Sequence, residues 1–292
     1  ALAAGARVLW ANVHMHPGHP LERVPVGTAV VGQLPSLAWR YDDKWRAREL
    51  LAGAGLPVPR ALVTDASAGT RDERLRRMAA EGIGWPAVVK PLRGRGSQGV
   101  SRVDGPEALE SALEALAGAT APGPEGNVPV YGSRALVEEF LPGEEITVTV
   151  LPPGTYRLGG IAARMERHWA LPPVVREGHD RGIAPYSGVV AVARNSAAME
   201  RSAAAAPGIA AALGACEAAG SLIEARAAIR IDCRRSKGGR MTLFDVNLKP
   251  NLTGPGRPGR GGAESLVAMA GRAAGWSYPE MMVELLRQAW VA

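Results

Sequence analysis

The chain has 292 residues, of which 47% are hydrophobic and 21% are charged. This length allows one large domain or two to three small packed ones, and no apolar run reaches the ~18 residues that a membrane-spanning helix needs. The formal net charge of +6 suits either a nucleic acid or a polyanionic small molecule, but no Lys/Arg block with interleaved aromatic residues favours nucleic acid.

The two cysteines, Cys216 and Cys233, fit neither a metal-binding nor a redox spacing. The first residues of the chain lack the pattern of a signal peptide. Together these features predict a reduced compartment, and we expect a cytoplasmic protein.

The first predicted elements are two strands, at residues 7–13 and 29–32. The turn-rich loop between them carries His14, His16 and His19. These histidines either bind a metal or belong to a solvated loop. The loop is favoured, because no carboxylate or cysteine accompanies them at ligand spacing.

Helices and strands then alternate along the first half of the chain. Asp42 or Asp43 caps the first of these helices, and proline pushes the segment after it into extended backbone. The predicted elements are a helix at 43–54, an extended entry into a strand at 56–63, a charged helix at 71–82, a buried strand at 85–91, a glycine-rich turn at 93–100, a helix at 105–117 and a Pro/Gly linker at 119–128.

The second half of the chain contains several predicted strands and ends in two helices. An aperiodic, Pro- and Gly-rich stretch interrupts it, which is typical of a functional loop. The predicted elements are strands at 135–140 and 145–150, a long loop at 164–188, an Ala-rich helical stretch at 197–220 interrupted at Pro207, hairpin strands at 228–233 and 241–247, a glycine-rich segment at 254–262 and helices at 264–273 and 278–290.

Lys90 ends a predicted buried strand, where a lysine is costly unless an anion neutralises it. The turn just beyond it contains Gly94, Gly96, Ser97 and Gly99, and successive backbone N–H groups in such a turn form a nest for phosphate oxygens. The alternative is a surface hairpin whose lysine reaches solvent.

A second candidate is the run Glu138, Glu139, Phe140 and Leu141. A strand that leaves one lobe for another can offer a backbone edge and a carboxylate to a purine. The alternative is an exposed acidic strand end.

The third candidate combines Asp232, at the end of one hairpin strand, with Asp245 and Asn247 on the next. Period-two alternation puts Asp245 and Asn247 on one face, and carboxylate and amide oxygens suit Mg²⁺. Arg230 shares the face of Asp232 and can address a phosphoryl or oxyanion charge. The alternative is that these side chains are polar groups of the hairpin whose hydrogen bonds are satisfied within the protein.

Neither a P-loop, nor a Rossmann glycine motif, nor a serine-hydrolase elbow occurs. Taken in order, the motifs resemble the ATP-grasp superfamily, and within it the D-alanine–D-alanine ligase branch. The resemblance covers residues 41–292 and rests on these segments: 43–59, 89–91 with its glycine turn, 137–148, 230–232, 245–253 and 265–277.

The resemblance implies an α/β (α+β) ATP-grasp fold whose two lobes sandwich ATP. It divides the chain into a shortened N-terminal lobe over 1–42, a small lobe over 43–134 and a large lobe over 135–292 that carries the metal and substrate site. The implied activity joins a carboxylate to an amine through an acyl phosphate, with an amino acid among the small-molecule substrates and without nucleic acid or membrane. A homodimer is compatible with it.

The resemblance also assigns roles to individual residues. The loop 164–188 would be a lid whose Arg176, His179 or Arg181 reaches the γ-phosphate. The other roles are phosphate contacts from Lys44, Lys90 and Ser97, an adenine hinge from Glu138, Glu139, Phe140 and Leu141, a ribose contact from Glu145, two Mg²⁺ ions (or Mn²⁺) on Asp232, Asp245 and Asn247, acyl-phosphate stabilisation by Arg230, and a substrate-carboxylate contact from Ser265.

Three features depart from the family pattern. Asp245 stands where the family usually has Glu, and the N-terminal lobe is short. The segment 254–262 is an insertion whose Arg257 and Arg260 suggest a different or more anionic substrate. An ATP-grasp ligase for another acid and a non-catalytic ATP-binding remnant are therefore the alternative hypotheses.

Overall fold

A computed structural model describes residues 5–94, 96–123, 126–179, 182–183, 195–256, 258–259 and 262–292. The strands are β1 (Val8–Ala11), β2 (Ala29–Gly32), β3 (Ala61–Asp65), β4 (Ala87–Pro91), β5 (Ser101–Val103), β6 (Thr120–Gly123), β7 (Gly126–Pro129), β8 (Arg134–Glu139), β9 (Glu145–Leu151), β10 (Gly154–Leu158), β11 (Ile161–Met165), β12 (Trp169–Ala170), β13 (Val174–Arg176), β14 (Ser196–Ala198), β15 (Ile229–Arg235), β16 (Met241–Asn247) and β17 (Trp290–Val291). The helices are α1 (Pro35–Tyr41), α2 (Lys44–Gly53), α3 (Arg71–Ala80), α4 (Pro106–Gly118), α5 (Arg201–Ala204), α6 (Pro207–Ile223), α7 (Leu266–Ala273) and α8 (Tyr278–Arg287).

The N-terminal strands form a small sheet together with the end of the chain. β1 and β2 are parallel, and β17 pairs antiparallel with β2, so β2 is central. The indole of Trp290 donates to the carbonyl oxygen of Gly32 at 2.7 Å. Between β1 and β2, His14 and His16 are exposed, and His19 accepts from the backbone N–H of Leu21 to begin a short 3-10 helix. The solvated loop favoured by the sequence is therefore formed.

The second sheet has the strand order β3-β8-β4-β5 and is antiparallel throughout. α3 and α4 cover one face, and the buried residues of α4 are Leu109, Leu113 and Leu116. β8, which the sequence led us to place at the start of the large lobe, is hydrogen-bonded between β3 and β4. The change from the second sheet to the third thus falls between β8, which ends at Glu139, and β9.

The third and largest sheet has the order β14-β13-β9-β15-β16, and β12 also pairs with β9. Alternation along β9 gives it two unlike faces. Ile146, Val148 and Val150 pack in a core with α6, whereas Glu145 and Thr147 lie on the opposite, polar face. α7 and α8 pack in a second core around Leu151 and Tyr156.

Two segments predicted to be irregular contain strands. The predicted loop 164–188 includes β12 and β13, which pair with β9 and so continue the large sheet. The predicted linker 119–128 forms the hairpin β6–β7, whose turn lies outside the described residues. Short strands with Pro and Gly carry almost no periodic signal, so the composition alone misassigned both segments.

The interruption predicted at Pro207 is present, because α5 ends at Ala204 and Pro207 begins α6, where a missing N–H costs nothing. From α6, Cys216 reaches the large sheet, and its Sγ lies 3.4 Å from that of Cys233. Both cysteines are free thiols in the core. Within the described ranges, no helix is long and apolar enough to cross a membrane.

Candidate active site

The candidate site lies where two lysines meet the polar face of the large sheet. Lys44 comes from the first turn of α2, and Lys90 comes from β4 in the small lobe. The Nζ of Lys44 lies 3.1 Å from Oδ1 of Asp245 on β16. The Nζ of Lys90 donates to the carbonyl oxygen of Phe244 at 3.0 Å. Lys90 and the Phe244 carbonyl, which are 154 residues apart along the chain, therefore meet at one cleft.

The position of Lys44 is set by a helix cap. Asp43 accepts hydrogen bonds from the backbone N–H groups of Trp45 and Arg46, so α2 begins at Lys44, as the sequence predicted. The Nζ of Lys44 also donates to the carbonyl oxygen of Gly94 at 2.9 Å. One ammonium group thus connects the glycine turn to the acid on the large sheet.

Lys90 is 4% exposed and forms an ion pair with Glu138 at 2.6 Å. The sheet register explains this pair, because Lys90 is opposite Leu136 on β8 and Glu138 follows two residues later on the same face. Burial raises the pKa of Glu138 above its usual value, although Lys90 acts in the opposite direction. The alternative, in which the lysine reaches solvent, is excluded because the side chain of Lys90 is buried.

The turn after β4 has left-handed backbone at Ser97 and Gly99. Ser97 adopts a φ of 58°, and Gly99 a φ of 70°. A Cβ at Gly99 would lie 2.8 Å from Leu116 and 3.1 Å from Tyr131, so only glycine fits there. Ser97 is partly exposed at this turn. Residue 95 lies outside the described residues.

The four predicted hinge residues separate into different environments. Glu138 faces Lys90, and Leu141 is buried at 6% exposure. Glu139 points the other way, and its Oε2 accepts from both Nε and Nη2 of Arg60 at 3.1 and 2.7 Å. The Phe140 ring lies between two guanidinium groups, whose central carbons are 4.7 and 5.4 Å from its centroid and belong to Arg102 and Arg234.

Glu145, the predicted ribose contact, is buried at the start of β9. Its Oε2 is 2.8 Å from Nε2 of His179 and 3.8 Å from Nη1 of Arg234. Both contacts fall on one oxygen. A carboxylate held in this way keeps its second oxygen for a further donor.

Arg230 and Asp232 form a partly buried, bidentate pair on β15. The Nε and Nη2 of Arg230 donate to the two carboxylate oxygens of Asp232 at 3.0 and 2.9 Å, and the hydroxyl of Thr147 donates to the same acid at 2.8 Å. Burial acts to lower the pKa of Arg230, but Asp232 and Asp245 raise it above its usual value. Arg230 is thus a fixed cation on the polar face.

Asp232 and Asp245 lie directly opposite each other across β15 and β16. Burial acts to raise the pKa of Asp245, but Lys44 and Lys90 outweigh it, so this pKa lies below its usual value. The Oδ1 of Asp245 is buried and accepts no well-directed hydrogen bond from the described part of the chain; its contact with Lys44 is an ion pair. A buried anionic oxygen in this state is a natural ligand for a cation.

Asn247 lies opposite Arg230 on the same face, and its Oδ1 accepts from the backbone N–H of Lys249 at 3.0 Å. The donors here are two carboxylates and one amide. Among the described residues, no group of three or more His, Cys, Asp or Glu side chains is arranged to hold a metal. The set fits Mg²⁺ as a partial shell that nucleotide phosphates and water would complete.

Ser265 has a structural task. It caps α7, with its hydroxyl oxygen accepting from the backbone N–H of Ala268 at 3.1 Å, and it is 2% exposed. Its own backbone N–H donates to the carbonyl oxygen of Thr253. The hydroxyl proton is left as the group that a ligand would use.

The predicted lid is described only in part. Arg176 lies on β13 opposite Glu145, and its Nε is buried without a hydrogen bond from the described residues. His179 binds Glu145 rather than a phosphate-binding group. Arg181 lies outside the described residues, as do Arg257 and Arg260 of the predicted insertion.

Sequence reasoning missed two site residues, Thr147 and Arg234, and it missed Arg60, the partner of Glu139 outside the cleft. Period-two alternation places Thr147 two residues from Glu145 and Arg234 two residues from Asp232, so the same rule that found Asn247 could have found them. Arg60 gives no such signal, because its pair with Glu139 depends on the pairing of β3 with β8.

The chain is similar to D-alanine–D-alanine ligases, and part of it matches the ATP-grasp domain family. Residues 83–165 match the ATP-grasp domain family. The D-alanine–D-alanine ligase of Halorhodospira halophila is 29% identical over 247 residues, which are 85% of this chain and 66% of that protein. The ligase of Ectopseudomonas mendocina is 27% identical over 84% of this chain and 64% of its own length. The chain thus spans slightly less than two thirds of these curated relatives.

Solved structures of the same kind share the fold. The D-alanine–D-alanine ligase of Coxiella burnetii superposes with a TM-score of 0.67 at 15% identity, covering 98% of this chain and 69% of that one. The ATP complex of the Bacillus anthracis D-alanine–D-alanine ligase gives 0.67 at 17% identity, covering 98% and 79%. The D-Ala:D-Ser ligase VanG of Enterococcus faecalis gives 0.65 at 17%, covering 96% and 72%. The resemblance and the fold class predicted from the sequence are confirmed.

Proposed function

We propose that this chain is an ATP-dependent carboxylate–amine ligase of the D-alanine–D-alanine ligase type. The observation that carries the proposal is the convergence of Lys44 and Lys90 on Asp245, with Arg230 and Asp232 on the same sheet face. Three cations and two carboxylates around one cleft suit a nucleotide triphosphate with its metal. The division of the chain at residues 42 and 43 into an N-terminal and a small lobe belongs to this proposal.

Nucleotide phosphates would replace internal partners of the two lysines. Lys44 now pairs with Asp245, and Lys90 pairs with Glu138, so each ammonium group is already held in the cleft. Ser97 and the turn around it would close over the phosphates. The backbone of Glu138 to Leu141 would contact adenine, and Glu145 would hold the ribose.

Mg²⁺ would be held by Asp232, Asp245 and Asn247, and the binding of two ions, or of Mn²⁺, is part of the proposal. The ion would neutralise charge on the phosphates during transfer. In its absence, Lys44 balances Asp245, and Arg230 balances Asp232. These pairs hold the two carboxylates in position.

The reaction proceeds in two steps. A carboxylate oxygen of the first substrate attacks the γ-phosphorus, ADP leaves, and an acyl phosphate forms. An amine then attacks the acyl carbon, phosphate leaves with its bond to that carbon broken, and the nitrogen loses a proton as the amide forms. Arg230 would stabilise the oxyanion of the tetrahedral intermediate, because a buried, fixed guanidinium needs no reorganisation.

Ser265 bears on a second candidate function. Its hydroxyl oxygen caps α7 and the residue is almost fully buried, so contact with a substrate carboxylate is limited to one donated hydrogen bond. A ligase for an acid or amine other than D-alanine is the second candidate function. The two free thiols fit a reduced compartment, and we propose a cytoplasmic enzyme, with a homodimer as its assembly.

A substrate panel tests both functions. Phosphate release is measured with Mg²⁺, ATP and paired amino or carboxylic acids, including D-alanine. We expect release with at least one pair and its loss, by ~10³-fold or more, in Asp245→Ala. The matched control is Glu110→Ala, an acid on α4 that pairs with Arg74 away from the cleft. ATP binding without phosphate release from any pair would favour a nucleotide-binding protein that is not a ligase.

A further inference from the structure

Arg234 connects several parts of the nucleotide cleft. Its Nε donates to the carbonyl oxygen of Gly143 at 3.0 Å, and its Nη1 donates to that of Gly182. The guanidinium also lies over the Phe140 ring and 3.8 Å from Oε2 of Glu145. The side chain is only 11% exposed. A guanidinium with this many contacts has little freedom to move, so it can hold neighbouring side chains in a fixed orientation.

Glu145 is the neighbouring side chain whose orientation Arg234 can fix. It is opposite Arg234 in the pairing of β9 with β15, and its side chain is 5% exposed. The orientation of a carboxylate this deeply buried depends on the few donors that reach it. His179 and Arg234 are such groups, and both contact Oε2. The carboxylate is thereby fixed, and Oε1 is the oxygen that carries no contact from the described residues.

Other cations near Glu145 do not fill the same role. Arg176 is opposite it on β13, but no described contact joins the two side chains. Arg230 lies four residues from Arg234 on the same face and is already bidentate to Asp232. His179 contacts Glu145 from the segment after β13. Arg234 is therefore the strand-anchored cation for this acid among the described residues.

We propose that Arg234 is a positioning residue that fixes the Glu145 carboxylate for recognition of the nucleotide sugar. The inference rests on the proposed function, in which Glu145 accepts from the ribose hydroxyl groups. Held through Oε2, the carboxylate presents Oε1 to the ribose. Without Arg234, His179 is the one remaining described partner, and the carboxylate can rotate. Discrimination between ribose and deoxyribose is then lost while the phosphate contacts stay.

The experiment measures binding, so it does not depend on the identity of the acid and the amine. Isothermal titration with Mg²⁺ compares ATP with 2′-deoxy-ATP and 3′-deoxy-ATP on the full chain. We expect the unchanged protein to bind ATP about tenfold to a hundredfold more tightly than at least one deoxy analogue, since a hydrogen bond to a charged group is lost. Arg234→Met should weaken ATP binding by a similar factor and bring the ATP-to-deoxy ratio close to one.

Two further variants separate positioning from structure. Arg234→Lys keeps the charge beside Glu145 and should recover much of the ratio. Arg235→Met is the matched control, because Arg235 is the adjacent residue, half-exposed and paired with Glu144, and it should leave the ratio unchanged. If Arg234→Met does not fold, the ratio of ATP affinity to deoxy-ATP affinity is measured for Arg234→Lys and Arg234→Gln. These two variants then test whether Arg234 positions Glu145.

The outcomes distinguish the two proposals. Equal loss of ATP and deoxy-ATP binding in Arg234→Met, with the ratio preserved, would show a structural role and overturn the inference. Equal binding of ATP and both analogues by the unchanged protein would overturn it as well, while leaving ATP use intact. No binding of ATP at all would instead remove the proposed function.

Discussion

Two neighbouring acids on β8 occupy opposite electrostatic environments. Glu138 is buried in the cleft and pairs with Lys90 at 2.6 Å, with both side chains 5% exposed. Glu139 pairs with Arg60 at 2.7 Å, where the arginine side chain is 59% exposed. The lengths of the two ion pairs are almost the same. The difference lies in the solvent around them, which decides how much each pair matters.

The comparison follows directly from the strand. Successive side chains point to opposite faces, so one residue step moves an acid from the cleft to the outer surface. Water screens the outer pair, which therefore contributes little. The inner pair is hardly screened, and removal of either partner leaves an uncompensated buried charge. A phosphate group can therefore replace the Glu138 carboxylate as the partner of Lys90, because any anion can neutralise the lysine.

The largest expected effect comes from breaking the inner pair. Lys90→Met should lower the free energy of unfolding by about 3–5 kcal/mol, because Glu138 then stays buried without its cation. It should also abolish the shift in melting temperature that ATP with Mg²⁺ produces. Urea unfolding and calorimetric melting measure the two effects. The double variant Lys90→Met/Glu138→Gln should recover most of the stability but none of the ATP response, and a double variant as unstable as the single one would contradict the pairing.

Much of this comparison could be anticipated from the sequence. The apolar run before Lys90 predicts a buried strand with a lysine at its end, and the glycines after it predict the turn. Alternation places Asp245 and Asn247 on one face of their hairpin. These inferences are local, and the structure agrees with each of them.

The partners of these residues could not be anticipated. The pairing of Lys90 with Glu138 requires β8 to lie beside β4, which depends on long-range strand order. The large-sheet strands β12 and β13 were missed for a related reason, because they are two and three residues long and owe their form to β9. Ser265 shows a further limit: a motif position does not reveal that its hydroxyl caps a helix.

A smaller effect appears in the pH dependence of the inner pair. Burial raises the pKa of Glu138 above its usual value near 4.5, so the folded state holds this proton more tightly than the unfolded state. The resulting stabilisation is present below that usual value and is lost as pH rises through the raised pKa. We therefore expect the stability of the unchanged protein relative to Glu138→Gln to decline over this window. Urea titrations at a series of pH values test this, and a parallel course for the two proteins would exclude it.

The smallest effect is expected for the outer pair. Arg60→Met should change the free energy of unfolding by less than about 1 kcal/mol, because a pair that is largely solvated gains little from its charges. The backbone N–H of Arg60 donates to Glu139 at 2.9 Å, and this bond remains when the side chain is changed. ATP should raise the melting temperature as in the unchanged protein. If Arg60→Met lowered the free energy of unfolding as much as Lys90→Met, solvent exposure would not distinguish the two acids. Glu139 would then have a role on the outer face beyond its ion pair with Arg60.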